Sequence, residues 1–262
     1  MSLWEAIVLG VLQGATEFLP VSSSGHLVIG QELLSLRIPG VRFEVVVHLA
    51  TLLAVLVVYR RRILSLALGV TLAPRTEEFR YAGLILVATL PAAALGFLFG
   101  DAIGSFFDRP AVVGVSLLLT GSALYSTRWA LRRPLRAEFG VRAALLVGLA
   151  QALALVPGIS RSGATLTAAL WLGVAPLEAA AFSFLMSVPA IAGAGVLEFA
   201  ALGPESAAIA GGAAWAGFAA AAAAGILAIR FLINLLERGA FPVFSWYCWG
   251  AGLAFLAWLG AR

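Results

Sequence analysis

Residues Gln13 to His26 read Gln-Gly-Ala-Thr-Glu-Phe-Leu-Pro-Val-Ser-Ser-Ser-Gly-His. The stretch gathers a carboxylate, an imidazole, four hydroxyls and a proline inside a strongly apolar sequence. Proline removes a backbone donor and disfavours helix at the residue before it, so the helix predicted over Leu3 to Leu19 stops at Pro20. Ser22 to Ser24 then offer N-caps for a second helix, from about His26 to Leu36. Two short helices around a polar turn predict a re-entrant hairpin. At membrane depth such a turn survives only where protein or trapped water satisfies it.

The surrounding chain supplies the membrane. Its 262 residues are 62% hydrophobic and only 11% charged, with a mean hydropathy of +1.02. A soluble domain carries about 25% charged residues, so this composition defines an integral membrane protein. The excess of base over acid is topology information for loops at lipid headgroups, and nucleic acid is not an expected partner. The lone cysteine, Cys248, can form no internal disulfide and reads as packing. The first apolar segment lacks a basic leader region, carries Glu5 and runs into the polar motif, so it is expected to be retained.

A second stretch, Gln151 to Thr165, reads Gln-Ala-Leu-Ala-Leu-Val-Pro-Gly-Ile-Ser-Arg-Ser-Gly-Ala-Thr. Sliding the chain by 138 residues lays Gln151 on Gln13, Gly148 on Gly10, Ser160 on Ser22, Ser162 on Ser24 and Gly163 on Gly25, with Arg161 over Ser23. Here too a short helix, Ala143 to Val156, breaks at Pro157-Gly158 before another, Gly163 to Leu172. Full spans are predicted at Phe43–Tyr59, Tyr81–Gly100, Ala111–Ser126, Leu177–Leu197, Ala207–Phe231 and Val243–Leu259, with Asp101 to Pro110 as a loop. Each half therefore holds one hairpin and three spans, and three crossings force the second half to start from the opposite side. The expected fold is an all-α polytopic membrane protein, one domain over 1–262, built as an inverted-topology repeat (about 1–130 and 138–262) of six transmembrane helices and two re-entrant helix hairpins.

Arginine bias sets the orientation. Twelve of the seventeen arginines fall on one side in this topology and four on the other, leaving Arg161 in the membrane. The rich side is expected to be cytoplasmic, with both termini outside. The hairpin tips then meet from opposite faces, and each aims the free N–H groups of a helix N-terminus at one place, which suits an anion, phosphate above all.

The candidate site residues follow. Arg161 is costly inside a membrane, and a guanidinium grips phosphate oxygens bidentately; its bland alternative is a structural ion pair with Glu17. Glu17 shares a helix face with Gln13 and could bind a divalent cation or deprotonate a neighbour. A serine could attack phosphorus with His26 or Glu17 as its base, or His26 could itself be the nucleophile or the base for water. Ser23 aligns with Arg161 across the repeat, whereas Ser22 and Ser24 read as caps or phosphate donors. His48, four residues after Glu44, reads as an interior hydrogen-bond pair.

At these residues the chain resembles the undecaprenyl-pyrophosphate phosphatases of the bacitracin-resistance type. One family signature, Glu/Gln-x-x-x-Glu followed by Phe-Leu-Pro-x-Ser-Ser-x-Gly-His, matches Gln13 to His26; the other, Pro-Gly-x-Ser-Arg-Ser-Gly-x-Thr, matches Pro157 to Thr165. The resemblance implies hydrolysis of undecaprenyl diphosphate to the monophosphate and phosphate, dependence on a divalent cation (Mg2+ or Ca2+), and a site open to the outer face of the bacterial inner membrane. It carries over Glu17, Ser23, His26 and Arg161 as catalytic and Ser160, Ser162 and Thr165 as phosphate-binding; from the residues themselves, Gln13, Ser22 and Ser24 are expected to bind substrate and Glu17 a metal. Gln13 stands where many members have glutamate. Expected partners are undecaprenyl diphosphate and membrane lipid, with a homodimer admitted. From the residues alone, a secondary transporter or lipid flippase shares the inverted repeat, and an intramembrane serine protease could use a serine and a histidine.

Overall fold

The computed structural model describes residues 1–34, 41–72, 76–134, 139–201 and 212–262. Every regular element among them is helical. Helix α1, Leu3–Phe18, begins in a capping box, Ser2 and Glu5 each satisfying the other's backbone N–H, and ends just before Pro20. The chain turns at Ser22, whose φ is +71°, and starts α2, Ser23–Leu34. Then come α3, Val41–Val58; α4, Arg60–Leu72; α5, Glu77–Phe107; and α6, Pro110–Ala130. The second broken pair is α7, Val141–Leu153, and α8, Arg161–Trp171, followed by α9, Pro176–Ala201, α10, Gly212–Glu237, and α11, Phe244–Gly260.

By length and composition, α5, α6, α9, α10 and α11 can each cross a membrane, and α3 joined to α4 would make a sixth span bent by 83°. The chain is an all-α polytopic membrane protein. Two expectations change. Between the expected spans Phe43–Tyr59 and Tyr81–Gly100 the chain forms a further helix, α4, and Glu77 to Arg80 already belong to α5. Residues 101–107, read as a loop, continue α5 beyond a kink at Phe99 (φ −127°, ψ 20°). Asp101 is polar yet lies inside the helix, which ends only at Phe107 with Asp108 as its C-cap. The expected end of α2 near Leu36 and the expected start of α10 at Ala207 fall outside the described residues.

The repeat is visible in atomic detail at both turns. Ser22 Oγ accepts the Gly25 N–H (3.2 Å) and lies 3.3 Å from Ser24 Oγ; 138 residues on, Ser160 Oγ accepts the Gly163 N–H (3.1 Å) and lies 3.2 Å from Ser162 Oγ. Each hairpin is then held by the opposite half. Helix α1 packs along α10, and α7 along α5. A β-carbon on Gly10 would fall 2.3 Å from the Gly217 carbonyl oxygen, and one on Gly148 2.3 Å from that of Ala88, so hydrogen is the largest group either crossing admits.

The kinks are exchanged in the same way. Cys248 of α11 points its sulfur at the Pro20 carbonyl (3.5 Å), while Thr120 of α6 donates to the Gly158 carbonyl (3.0 Å) and accepts the Ser160 N–H (3.2 Å). The two tips touch: Ser162 Oγ donates to the Leu19 carbonyl at 3.2 Å. Each kink is thus held by a helix of the other half. Around the tips α3 lies against α9, and Phe18, Phe182, Phe184 and Leu166 form the buried apolar core.

Candidate active site

A cavity of about 250 Å³ opens where the tips meet. Its polar wall comes from the α1–α2 turn (Thr16, Glu17, Ser22, Ser23, Ser24) and from Ser160 and Arg161 of the second turn. Its apolar wall is Val45 and Leu49 of α3, Ala190, Ile191, Ala194 and Gly195 of α9, and Ala154, Leu155 and Ile159 between α7 and α8. A larger cavity of about 540 Å³ elsewhere is lined by Arg62 and Arg80 but also by Glu77, Glu78 and Glu178, and holds no residue of either motif.

Glu17, only 7% exposed, is the hub of the smaller cavity. Its Oε1 accepts from Arg161 Nη2 at 2.8 Å, and its Oε2 accepts from Ser23 Oγ at 2.7 Å and from Gln13 Nε2 at 2.9 Å. Ser23 and Arg161 open α2 and α8, so the first turns of two helices face the same space. The second guanidinium nitrogen, Arg161 Nη1, is buried and has no hydrogen-bond partner. A buried guanidinium nitrogen without a hydrogen-bond partner is a donor still to be satisfied.

The structure brings together Glu17, Ser23, Arg161, Ser22, Ser24 and Ser160. The other predicted residues stand elsewhere. Gln13 is fully buried behind Glu17 and orients it. Ser162 is buried between Ser160 and Leu19, and Thr165 bonds the Arg161 carbonyl (2.8 Å) and Ser183 (2.6 Å), so both brace the turn rather than line the cavity. His26 turns away from the cavity to Tyr247.

His48 lines the cavity instead, its Nε2 lying 3.9 Å from Glu17 Oε2. The expected pairing with Glu44 exists through the backbone carbonyl, 2.7 Å from His48 Nδ1. The four-residue spacing found that contact, but it could not say which side of α3 faces the hairpins. Thr120 carried no signal at all, because a threonine in an apolar span looks like any packed small residue.

A divalent cation fits only in part. Among the described residues there is no group of three or more His, Cys, Asp or Glu side chains that could hold one. Glu17 is the single carboxylate on the cavity wall, so a cation there would draw most of its oxygen ligands from phosphate, as Mg2+ commonly does.

Fold and site together define a polytopic membrane protein with a buried, arginine-anchored polar centre between two exchanged hairpins. The pattern of the bacitracin resistance protein BacA family matches residues 6–254, and the chain belongs to that family. Relatives named undecaprenyl-diphosphatase include those of Korarchaeum cryptofilum (40% identical, covering 99% of this chain and 100% of the relative) and Alcanivorax borkumensis (40%, 99% and 100%). The relative so named from Rubrobacter xylanophilus is 43% identical over 94% of each chain.

Proposed function

We propose that this chain hydrolyses undecaprenyl diphosphate to undecaprenyl phosphate and inorganic phosphate, recycling the lipid carrier for peptidoglycan synthesis and conferring bacitracin resistance. The observation that carries the reading is the buried, unpartnered Arg161 Nη1 beside a serine hydroxyl already bonded to a carboxylate. Arg161 and the N–H groups at the starts of α2 and α8 receive the diphosphate oxygens, with the hydroxyls of Ser22, Ser24 and Ser160. The polyprenyl tail leaves across the apolar wall of α3 and α9.

Ser23 is the attacking group in this reading, because it alone of the three serines in its run donates to Glu17. Its oxygen bonds to the terminal phosphorus, its proton passes to Glu17, and the bond from that phosphorus to the bridging oxygen breaks. Undecaprenyl phosphate departs with the bridging oxygen. Water then attacks the phosphoserine, phosphate leaves and the serine is restored. A divalent cation, held by Glu17 and phosphate oxygens, would neutralise charge on the diphosphate. Phosphate release from undecaprenyl diphosphate by purified protein in detergent tests the reading. Ser23→Ala and Arg161→Ala should each abolish it with the fold intact, and turnover surviving either change sinks the corresponding role.

We further propose that the arginine-rich side is cytoplasmic, with both termini and the cavity mouth on the outer side. Single cysteines in a Cys248→Ala background test this. An impermeant maleimide should label Ser2→Cys in whole cells and Arg61→Cys only after lysis; the reverse pattern inverts the topology.

A further inference from the structure

His26 belongs to the motif, yet it does not line the cavity. Its Nδ1 lies 2.7 Å from the Ser22 carbonyl oxygen, and its Nε2 lies 2.6 Å from the Tyr247 hydroxyl. The two rings are nearly parallel, at 11°, with centroids 5.6 Å apart. A carbonyl can only accept, so Nδ1 carries the proton and donates it, and Nε2 of the neutral ring accepts from Tyr247. Both nitrogens are thereby committed, and neither faces the site.

What the ring holds is the turn. Ser22 is the one non-glycine residue with positive φ among the described residues, at +71°, a conformation that persists only where its surroundings enforce it. The Ser22 carbonyl accepts both the His26 backbone N–H (3.1 Å) and the ring. The next residue is Ser23, whose hydroxyl reaches Glu17. The second turn makes an instructive contrast. Its Ser160 has an ordinary extended backbone (φ −75°, ψ 122°) and is tied by Thr120, and alanine, Ala164, stands where the repeat would place the histidine.

We infer that His26 is a positioning residue: clamped by Tyr247, its imidazole fixes the Ser22 carbonyl and so aims the Ser23 hydroxyl at Glu17 and the diphosphate. This rests on the reading of Ser23 as the attacking group. The imidazole transfers no proton to or from the substrate.

Asparagine separates the two roles, since its side-chain amide can donate from near the Nδ1 position but cannot act as an acid or base near neutral pH. His26→Ala should lower kcat about 100-fold, the scale of a misplaced reacting group, with KM little changed because Arg161 and Ser160 are untouched. His26→Asn should recover most of kcat with a pH profile of unchanged shape, and Tyr247→Phe should lower kcat several-fold. His26→Asn that folds but is as slow as His26→Ala overturns the inference, as does loss of one limb of its pH profile. If His26→Ala fails to fold, His26→Asn against wild type decides alone. Ser23→Ala, assayed alongside, keeps the two readings apart: activity in that variant fails the assignment of Ser23, whereas inactive Ser23→Ala with inactive, folded His26→Asn fails only the positioning role.

Discussion

Arg161 Nη2 donates to Glu17 Oε1 across 2.8 Å of space and 144 residues of sequence, with the two side chains 17% and 7% exposed. The pair ties one hairpin tip to the other, and Nη1 is buried without a hydrogen-bond partner. Breaking a buried ion pair from one side strands the remaining charge, at about 3–5 kcal/mol. Glu17→Gln should therefore lower the melting temperature in detergent as well as abolish phosphate release. Arg161→Lys keeps the charge but loses the planar fork, so it should melt closer to wild type while turnover falls about 100-fold. Equal melting temperatures for Glu17→Gln and wild type would show that the pair does not brace the tips.

Thr120 should matter although it touches no substrate. It is 4% exposed, and its hydroxyl both donates to Gly158 and accepts from Ser160. Thr120→Val keeps the shape and strands two buried backbone groups, at about 1–3 kcal/mol for each. We expect a measurable loss of thermal stability and a fall in kcat, because Ser160 and Arg161 form the segment released. Valine at wild-type turnover would show that the second turn holds itself.

Gly148, at a helix crossing, should be irreplaceable, and Gly30, in open space, dispensable. Gly148→Ala drives a β-carbon against the Ala88 carbonyl, a backbone atom that no rotamer change can move. Overpacking of this kind costs about 1–3 kcal/mol. Gly30 in α2 has open space around the same position, so Gly30→Ala should be neutral or slightly stabilising through its better helix propensity. Thermal unfolding of the two variants side by side reads the difference.

Cation dependence is the fourth expectation. With one carboxylate on the cavity wall among the described residues, metal-free protein should have little affinity for Mg2+ or Ca2+ by calorimetry, and affinity should appear when diphosphate is present. Chelator should stop phosphate release and either cation restore it. Full turnover in excess chelator would remove the cation from the mechanism.

Most of the fold could be read from where apolar runs stop. Pro20 and Pro157-Gly158 mark the two breaks, and the matched serines around them give the repeat. Hydropathy was less informative at polar residues that stay helical: Arg60 to Arg62 open α4, and Asp101 lies within α5. The site was legible wherever function demanded a costly residue, as with Glu17 and Arg161. It was illegible where the direction of a side chain decided the matter. His26 and His48 are both single histidines in apolar helices, and only tertiary packing turns the first toward Tyr247 and the second toward Glu17.

The exchange of hairpins between halves has a consequence for biosynthesis. Helix α1 leaves the ribosome well before its partners: its glycine face closes on α10, and Pro20 meets Cys248 once α11 has entered the bilayer. A nascent chain therefore holds Glu17 in the membrane without its partner Arg161 until α8 has been made. Two fragments cut between α6 and α7 would each be inert alone and could regain activity only by threading together in one membrane.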